Sequence, residues 1–139
     1  MGFSTHYSKD SGFMLTRAYG DISDSDLLQH IAEFNKQTEK LVIRLELSDC
    51  RDITSVASLA TKTATQAAQI ESKKINSRMA ILIPKNNQAI HGLARDYQMF
   101  AEDKRAAINI FSDMDTAVSW LANADAHEKE LLLAFINKA

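Results

Sequence analysis

One cysteine, one proline and four glycines in 139 residues rule out several chemistries at once. With Cys50 alone no internal disulfide can form, which fits a reducing compartment and gives a cytoplasmic expectation. No CxxC or HxxxH occurs, and His6, His30, His91 and His127 stand apart, so no metal site is expected. The glycines do not cluster into a phosphate-cradling loop, and no Gly-x-Ser-x-Gly elbow is present. No cofactor is expected either. Basic excess is missing: the formal net charge is -2. That argues against nucleic-acid binding as the main task, which needs cations to neutralise phosphates. No apolar run approaches the roughly 18 residues of a spanning helix, so stable membrane insertion is not expected. The start, MGFSTHYSKD, lacks the apolar core of a signal peptide.

What is present reads as a globular chain, 45% hydrophobic and 24% charged. It is read as one domain over residues 1–139, with 125–139 as a helical extension. Its organising stretch is Lys40 to Ser58. Leu41, Val42, Ile43, Leu45 and Leu47 form a dense aliphatic run with Arg44 and Glu46 as the charges, which is the pattern of a buried strand over Lys40 to Leu47. Ser48 to Asp52 then reads as a polar loop. From Val56 the apolar spacing shifts to a helical period through Leu59, Ala60, Ala64 and Ala67, with Thr54 or Ser55 as N-cap.

Around this stretch the chain alternates. Phe3–Ser8 and Phe13–Tyr19 are β-prone and flank Lys9-Asp10-Ser11-Gly12, so a hairpin is expected. Ser23 opens a helix carrying Leu27, Leu28, Ile31, Ala32 and Phe34. Asp24 and Asp26 suit its first turn, a more economical reading than a cation site. Met79–Ile83 is a second buried strand ended by Pro84. Asn86 or Asn87 caps the next helix. Ala107–Phe111 is a third short strand. A helix follows from Ser112 or Asp113, and Asp125 with Glu128 looks like a capping box for the last one. The expected class is α/β: a mostly parallel sheet of four or five strands with an N-terminal hairpin and helical crossovers.

This order resembles the SpoIIAA-like proteins of the STAS group, in particular a bacterial branch described as STAS/SEC14-like. The residues that carry the resemblance are the strand RMAILI, His91-Gly92-Leu93-Ala94-Arg95 and the ending Phe111–Leu121, FSDMDTAVSWL. It spans Phe13 to Leu121. It implies a non-catalytic domain that regulates or binds a protein partner. The alternative it suggests is a carrier or sensor that holds a small apolar or lipid-like ligand between helix and sheet. In the anti-sigma-antagonist members the loop after the central strand reads Asp-Ser-Ser-Gly and is phosphorylated on serine. The matching positions here are Thr54, Ser55, Val56 and Ala57. The usual acceptor falls on Val56, which leaves Ser55 as the candidate phosphoacceptor and casts doubt on a phosphoswitch.

If a site exists, its expected place is the rim at the carboxyl ends of the parallel strands. The candidate residues are Asp49, Cys50, Arg51, Asp52, Thr54 and Ser55, with Asn86, Asn87, His91 and Arg95 alongside. Ordinary solvated connections are the plain alternative. Cys50 has no base nearby in sequence, so nucleophilic catalysis is not expected. Leu131, Leu132, Phe135 and Ile136 stripe the last helix. That stripe must be covered, by the chain's own sheet or by a second copy; the expectation is a homodimer contact.

Overall fold

Gly12 sits at φ +71°, where a side chain would strain, and its N–H reaches Ser8 O at 2.8 Å. This closes the expected hairpin between β1 (Gly2–Ser8) and β2 (Phe13–Asp21), paired antiparallel from Gly2↔Tyr19 to Ser8↔Phe13. The computed structural model describes residues 2–139, so Met1 of the domain expected over 1–139 lies outside the described residues. α1 (Asp24–Thr38) follows with the anticipated cap: Ser23 accepts from Asp26 N, and the Asp26 carboxylate answers to Ser23 N. The remaining elements are β3 (Leu45–Ser55), α2 (Thr61–Ile70), β4 (Lys74–Leu82), α3 (Gln88–Ala101), β5 (Arg105–Phe111), α4 (Met114–Leu121) and α5 (Ala126–Lys138). A single 3-10 turn, Glu102–Lys104, joins α3 to β5.

The sheet runs β1-β2-β3-β4-β5, with every pair after the hairpin parallel and β3 in the middle. Strands added in one direction by right-handed crossovers place all their connecting helices on one face. α1, α2 and α3 therefore share a face, and the other is left to α4 and α5. The two cores reflect this. Phe13, Leu15, Leu45, Leu47, Ala80 and Leu82 pack under Val118 and Leu121 of α4 and Leu132 and Ile136 of α5. Met79, Ile81, Ile83 and Ile108 pack under Ala68, Ile90 and Ala94 of α2 and α3.

Three expectations are corrected here. The aliphatic run does not begin the central strand: β3 starts at Leu45, not Lys40. Leu41–Ile43 instead bridge the end of α1 to the sheet, with Ile43 buried beside Met14 and Phe34 and Val42 left in solvent. Gly12 O accepts both Arg44 N and Leu45 N, which pins the start of the strand. Nor is Asp49–Asp52 a loop. β3 continues to Ser55 because the long β2 keeps pairing with it as far as Asp21↔Ser55, while β4 leaves it after Asp49↔Leu82. With one neighbour gone, polar side chains such as Arg51, Asp52 and Thr54 stand in solvent at little cost. The third correction is the cap of α2. The helix starts at Thr61 behind Ala60, which lacks a capping side chain. The cap is supplied in space: Asp24 of α1 accepts Ala60 N–H at 2.8 Å.

The stripe on α5 is also accounted for. Leu132 and Ile136 are 1% and 5% exposed beneath the chain's own sheet, and Phe135 tilts against Phe13 with ring centroids 5.9 Å apart. Only Leu131 of the four stands in solvent. The expected oligomer contact is therefore not a free apolar stripe, and α5 is a structural layer rather than an appendage.

Candidate functional site

A pocket lies on the face of the sheet under α1, α2 and α3. Along β3 the side chains alternate. Leu45 and Leu47 face α4 and α5, while Glu46, Ser48 and Cys50 face the other helices. The middle strand of a buried sheet thus turns three polar side chains toward an apolar layer. Between them lies a cavity of about 120 Å³. Its walls come from every crossover helix: Leu27, Ile31 and Phe34 of α1, Ala64 of α2, Ile90 and Ala94 of α3. Ile22, Ile53, Val56 and Leu59 line it near the carboxyl ends of the strands.

At its edge His30 of α1 stacks on Phe3 of β1, centroids 4.0 Å apart with planes 6° from parallel, and tilts against Phe34 at 5.9 Å. Burial pulls the His30 pKa down to about 4, with Glu33 opposing, so the ring is neutral near pH 7. Cys50 faces the cavity, and burial pushes its thiol up to about 11 despite the Ser48 hydroxyl 3.8 Å away. Thr16 of β2 is 2% exposed, lines the same space, and its hydroxyl finds no hydrogen-bond partner among the described residues. An unpaired buried hydroxyl costs about 1–3 kcal/mol.

The floor of the cavity is ionic. Arg105, at the start of β5, donates to Glu46 at 2.5 Å and pairs with Glu71 at 3.1 Å, all three within 4% of full burial. Tyr97 of α3 donates its hydroxyl to Glu71, and Ser77 lies 3.3 Å from Arg105 Nη1. Lys104, also buried, donates through Nζ to the carbonyls of Gln69 and Glu71. Burial raises the pKa of Glu46, and the Arg105 charge opposes it. Burial likewise opposes the charge on Arg105, but Glu46 and Glu71 overcome it and raise its pKa. Burial and then Glu71 raise that of Tyr97. Charges taken out of water persist only when paired in this way.

The rim holds what remains of the expected site, divided in three. Asn86, Asn87 and His91 line an open groove of about 590 Å³ between the ends of β4 and β5, together with Pro84, Lys85 and Ser112. Asn87 caps α3 through Ile90 N, as expected. Asp49 lies on the far face from the cavity, held to Arg51 by contacts at 3.0 and 2.9 Å. Asp52, Thr54 and Arg95 stand in solvent. Ser55 accepts from Ala57 N and so fixes its own turn. Val56, in the usual phosphoacceptor slot, packs against the core under α3. Of the ten expected site residues only Cys50 reaches the cavity.

Thr16, His30, Glu46, Ser48, Glu71 and Tyr97 were not among the expected site residues. One signal was available: the polar side chains of Leu45–Cys50, LELSDC, recur at Glu46, Ser48 and Cys50 with the period of a strand face. The others come from β2, α1, α3 and the connection after α2, and have no common spacing.

A mostly parallel sheet with a leading antiparallel hairpin and three crossover helices on one face makes this an α/β domain with a SpoIIAA-like fold. No protein-family model and no curated protein matches the chain. Among solved structures it is similar to an uncharacterised protein of the DUF3478 family with a SpoIIAA-like fold, from Shewanella loihica PV-4. The two are 18% identical, with a TM-score of 0.57, over 86% of this chain and 94% of that one. At this identity the likeness shows the fold alone. No helix among the described residues is long and apolar enough to cross a membrane.

Proposed function

We propose that this chain is a non-catalytic binding domain that takes a small apolar ligand between α1, α2, α3 and the sheet. The observation that carries the reading is the cavity itself. A domain that worked only by its outer surface would have no use for an apolar pocket of about 120 Å³ between the sheet and its three crossover helices. The volume also bounds the ligand. A cavity of about 150 Å³ in another protein holds benzene, whereas a carrier of whole lipids needs several hundred. The lipid-like end of the expectation is thus trimmed to a single ring or a short branched chain. A raised thiol pKa at Cys50 and carboxylates tied to Arg105 supply no ready nucleophile, which supports a binding role over catalysis.

The test is a titration of isotope-labelled protein with benzene, followed by methyl NMR. The expected result is saturable shifts at Ile31, Ile53, Ile81 and Ile90. Shifts confined to surface methyls, or none up to the solubility limit, would overturn it.

A second reading, regulation through a protein partner at the rim, is favoured by the groove that gathers Asn86, Asn87 and His91. A crosslinker placed at His91 in living cells should then capture one dominant partner, and Asn86→Asp should remove it. Diffuse labelling counts against the reading.

A further inference from the structure

We propose that the ligand is not a plain hydrocarbon but an apolar molecule with one neutral hydroxyl or carbonyl group, received by Thr16 and Ser48. This rests on the cavity being a binding site and adds the chemistry of what it binds.

Thr16 and Ser48 are direct partners across the β2–β3 ladder, so their side chains stand side by side on the cavity face. The Thr16 hydroxyl is buried and has no partner among the described residues. Among the described residues the Ser48 hydroxyl meets only the Cys50 sulfur, at 3.8 Å, and a thiol is a weak partner. Two adjacent hydroxyls, each able to donate and to accept, are thus left at the wall of an apolar space. A group that both donates and accepts would satisfy them together.

The cations nearby lie behind the lining rather than in it. Arg105 pairs with Glu46 and Glu71, though its Nε and Nη2 make no hydrogen bond among the described residues; Lys104 is held by the carbonyls of Gln69 and Glu71, and Lys74 lies 5.8 Å from the centroid of the Phe34 ring. A carboxylate head would lie beside Glu46, and no lysine or arginine is among the residues that line the cavity. An ammonium head would have to break the Arg105 pairs to find a carboxylate. Across the space stand Ile31, Phe34 and the uncharged ring of His30, which suit the apolar remainder. A neutral polar group is what the site leaves room for.

The experiment compares benzene, phenol and benzoate as probes on the full chain at pH 7, with dissociation constants read from methyl NMR. Transfer from water alone favours benzene, because the hydroxyl must shed its hydration. A preference for phenol therefore requires a partner inside the cavity. The wild type should bind phenol at least tenfold more tightly than benzene, and benzoate at least tenfold more weakly than phenol. Thr16→Val, nearly equal in shape, should bring phenol and benzene within twofold of each other. Thr16→Ser should keep most of the preference. Should Thr16→Val not fold, Ser48→Ala beside Thr16→Ser carries the same comparison, with the preference reduced in the first and kept in the second. Benzene bound as tightly as phenol by the wild type leaves the binding cavity standing and overturns this proposal. A phenol preference that survives loss of both hydroxyls, or benzoate as the tightest probe, also overturns it. Binding of none of the three removes the cavity reading and this proposal together.

Discussion

Burial sets the chemistry of single residues here. The Cys50 thiol, raised to about 11, is thiolate in only about one molecule in three thousand at pH 7.5. Alkylation by iodoacetamide should run at least a hundredfold slower than for a free cysteine, and Cys50→Ser should keep the fold; rapid stoichiometric labelling of folded protein would contradict both. Arg105 illustrates the opposite case, a charge that burial tolerates because Glu46 and Glu71 hold it. Arg105→Ala strands two carboxylates and should cost about 3–5 kcal/mol in urea unfolding. Glu46→Gln should cost clearly less, since an amide oxygen still accepts from the guanidinium. His30 gives a pH signature. Its folded pKa, about 4, lies below the 6.5 of an exposed ring, so the unfolded chain takes up the proton first. Stability from this group is complete above pH 6.5 and is lost as pH falls toward 4, by up to about 3 kcal/mol. His30→Phe should flatten that part of the stability curve, and equal slopes for variant and wild type would refute the assignment.

Among the elements, α5 shows how topology decides what a helix is for. Since α1, α2 and α3 share one face, α4 and α5 are what covers Phe13, Leu15, Leu45 and Leu47 on the other. Two buried side chains on α5, Leu132 and Ile136, are each worth roughly 1.5–3 kcal/mol. The surface pairs Arg44–Glu128 and Lys129–Asp115 add little, as exposed ion pairs do. Removal of residues 126–139 should therefore lower the melting temperature by well over ten degrees or leave an aggregating chain, by circular dichroism and light scattering. A truncated protein that melts like the full chain would show that the helix is dispensable. α2 makes a related point. Its N-terminal cap, Asp24, sits 36 residues upstream in α1. The bond from Ala60 N–H is the main cause that lowers the Asp24 pKa, and a side-chain hydrogen bond with Thr63 adds to it.

For the whole molecule, the cavity is the quantity to test. Ala94→Leu adds side-chain volume where α3 faces the void. It should abolish benzene binding without lowering the melting temperature, because it fills space already empty. Lost stability with intact binding would place the void elsewhere. The division between sequence and structure follows from how far each kind of information reaches. Local chemistry was enough for the hairpin at Gly12, the caps at Ser23 and Asn87, and the alternation that makes the sheet mostly parallel. Each depends on residues a few positions apart. The start of β3 at Leu45 was not legible, because Leu41–Ile43 are as aliphatic as the strand and only packing against Met14 and Phe34 separates them. The cavity was less legible still. Its unpaired hydroxyl is on β2, its stacked histidine on α1, and its ionic floor joins β3, β5 and Glu71 just after α2. The sequence alone determined the order of elements and the strand-face period of Glu46, Ser48 and Cys50. Tertiary structure decided that this face is roofed by three helices and that the roof does not quite meet the floor. A gap of that kind depends on the shapes of side chains brought together from every part of the chain, and no local pattern records it.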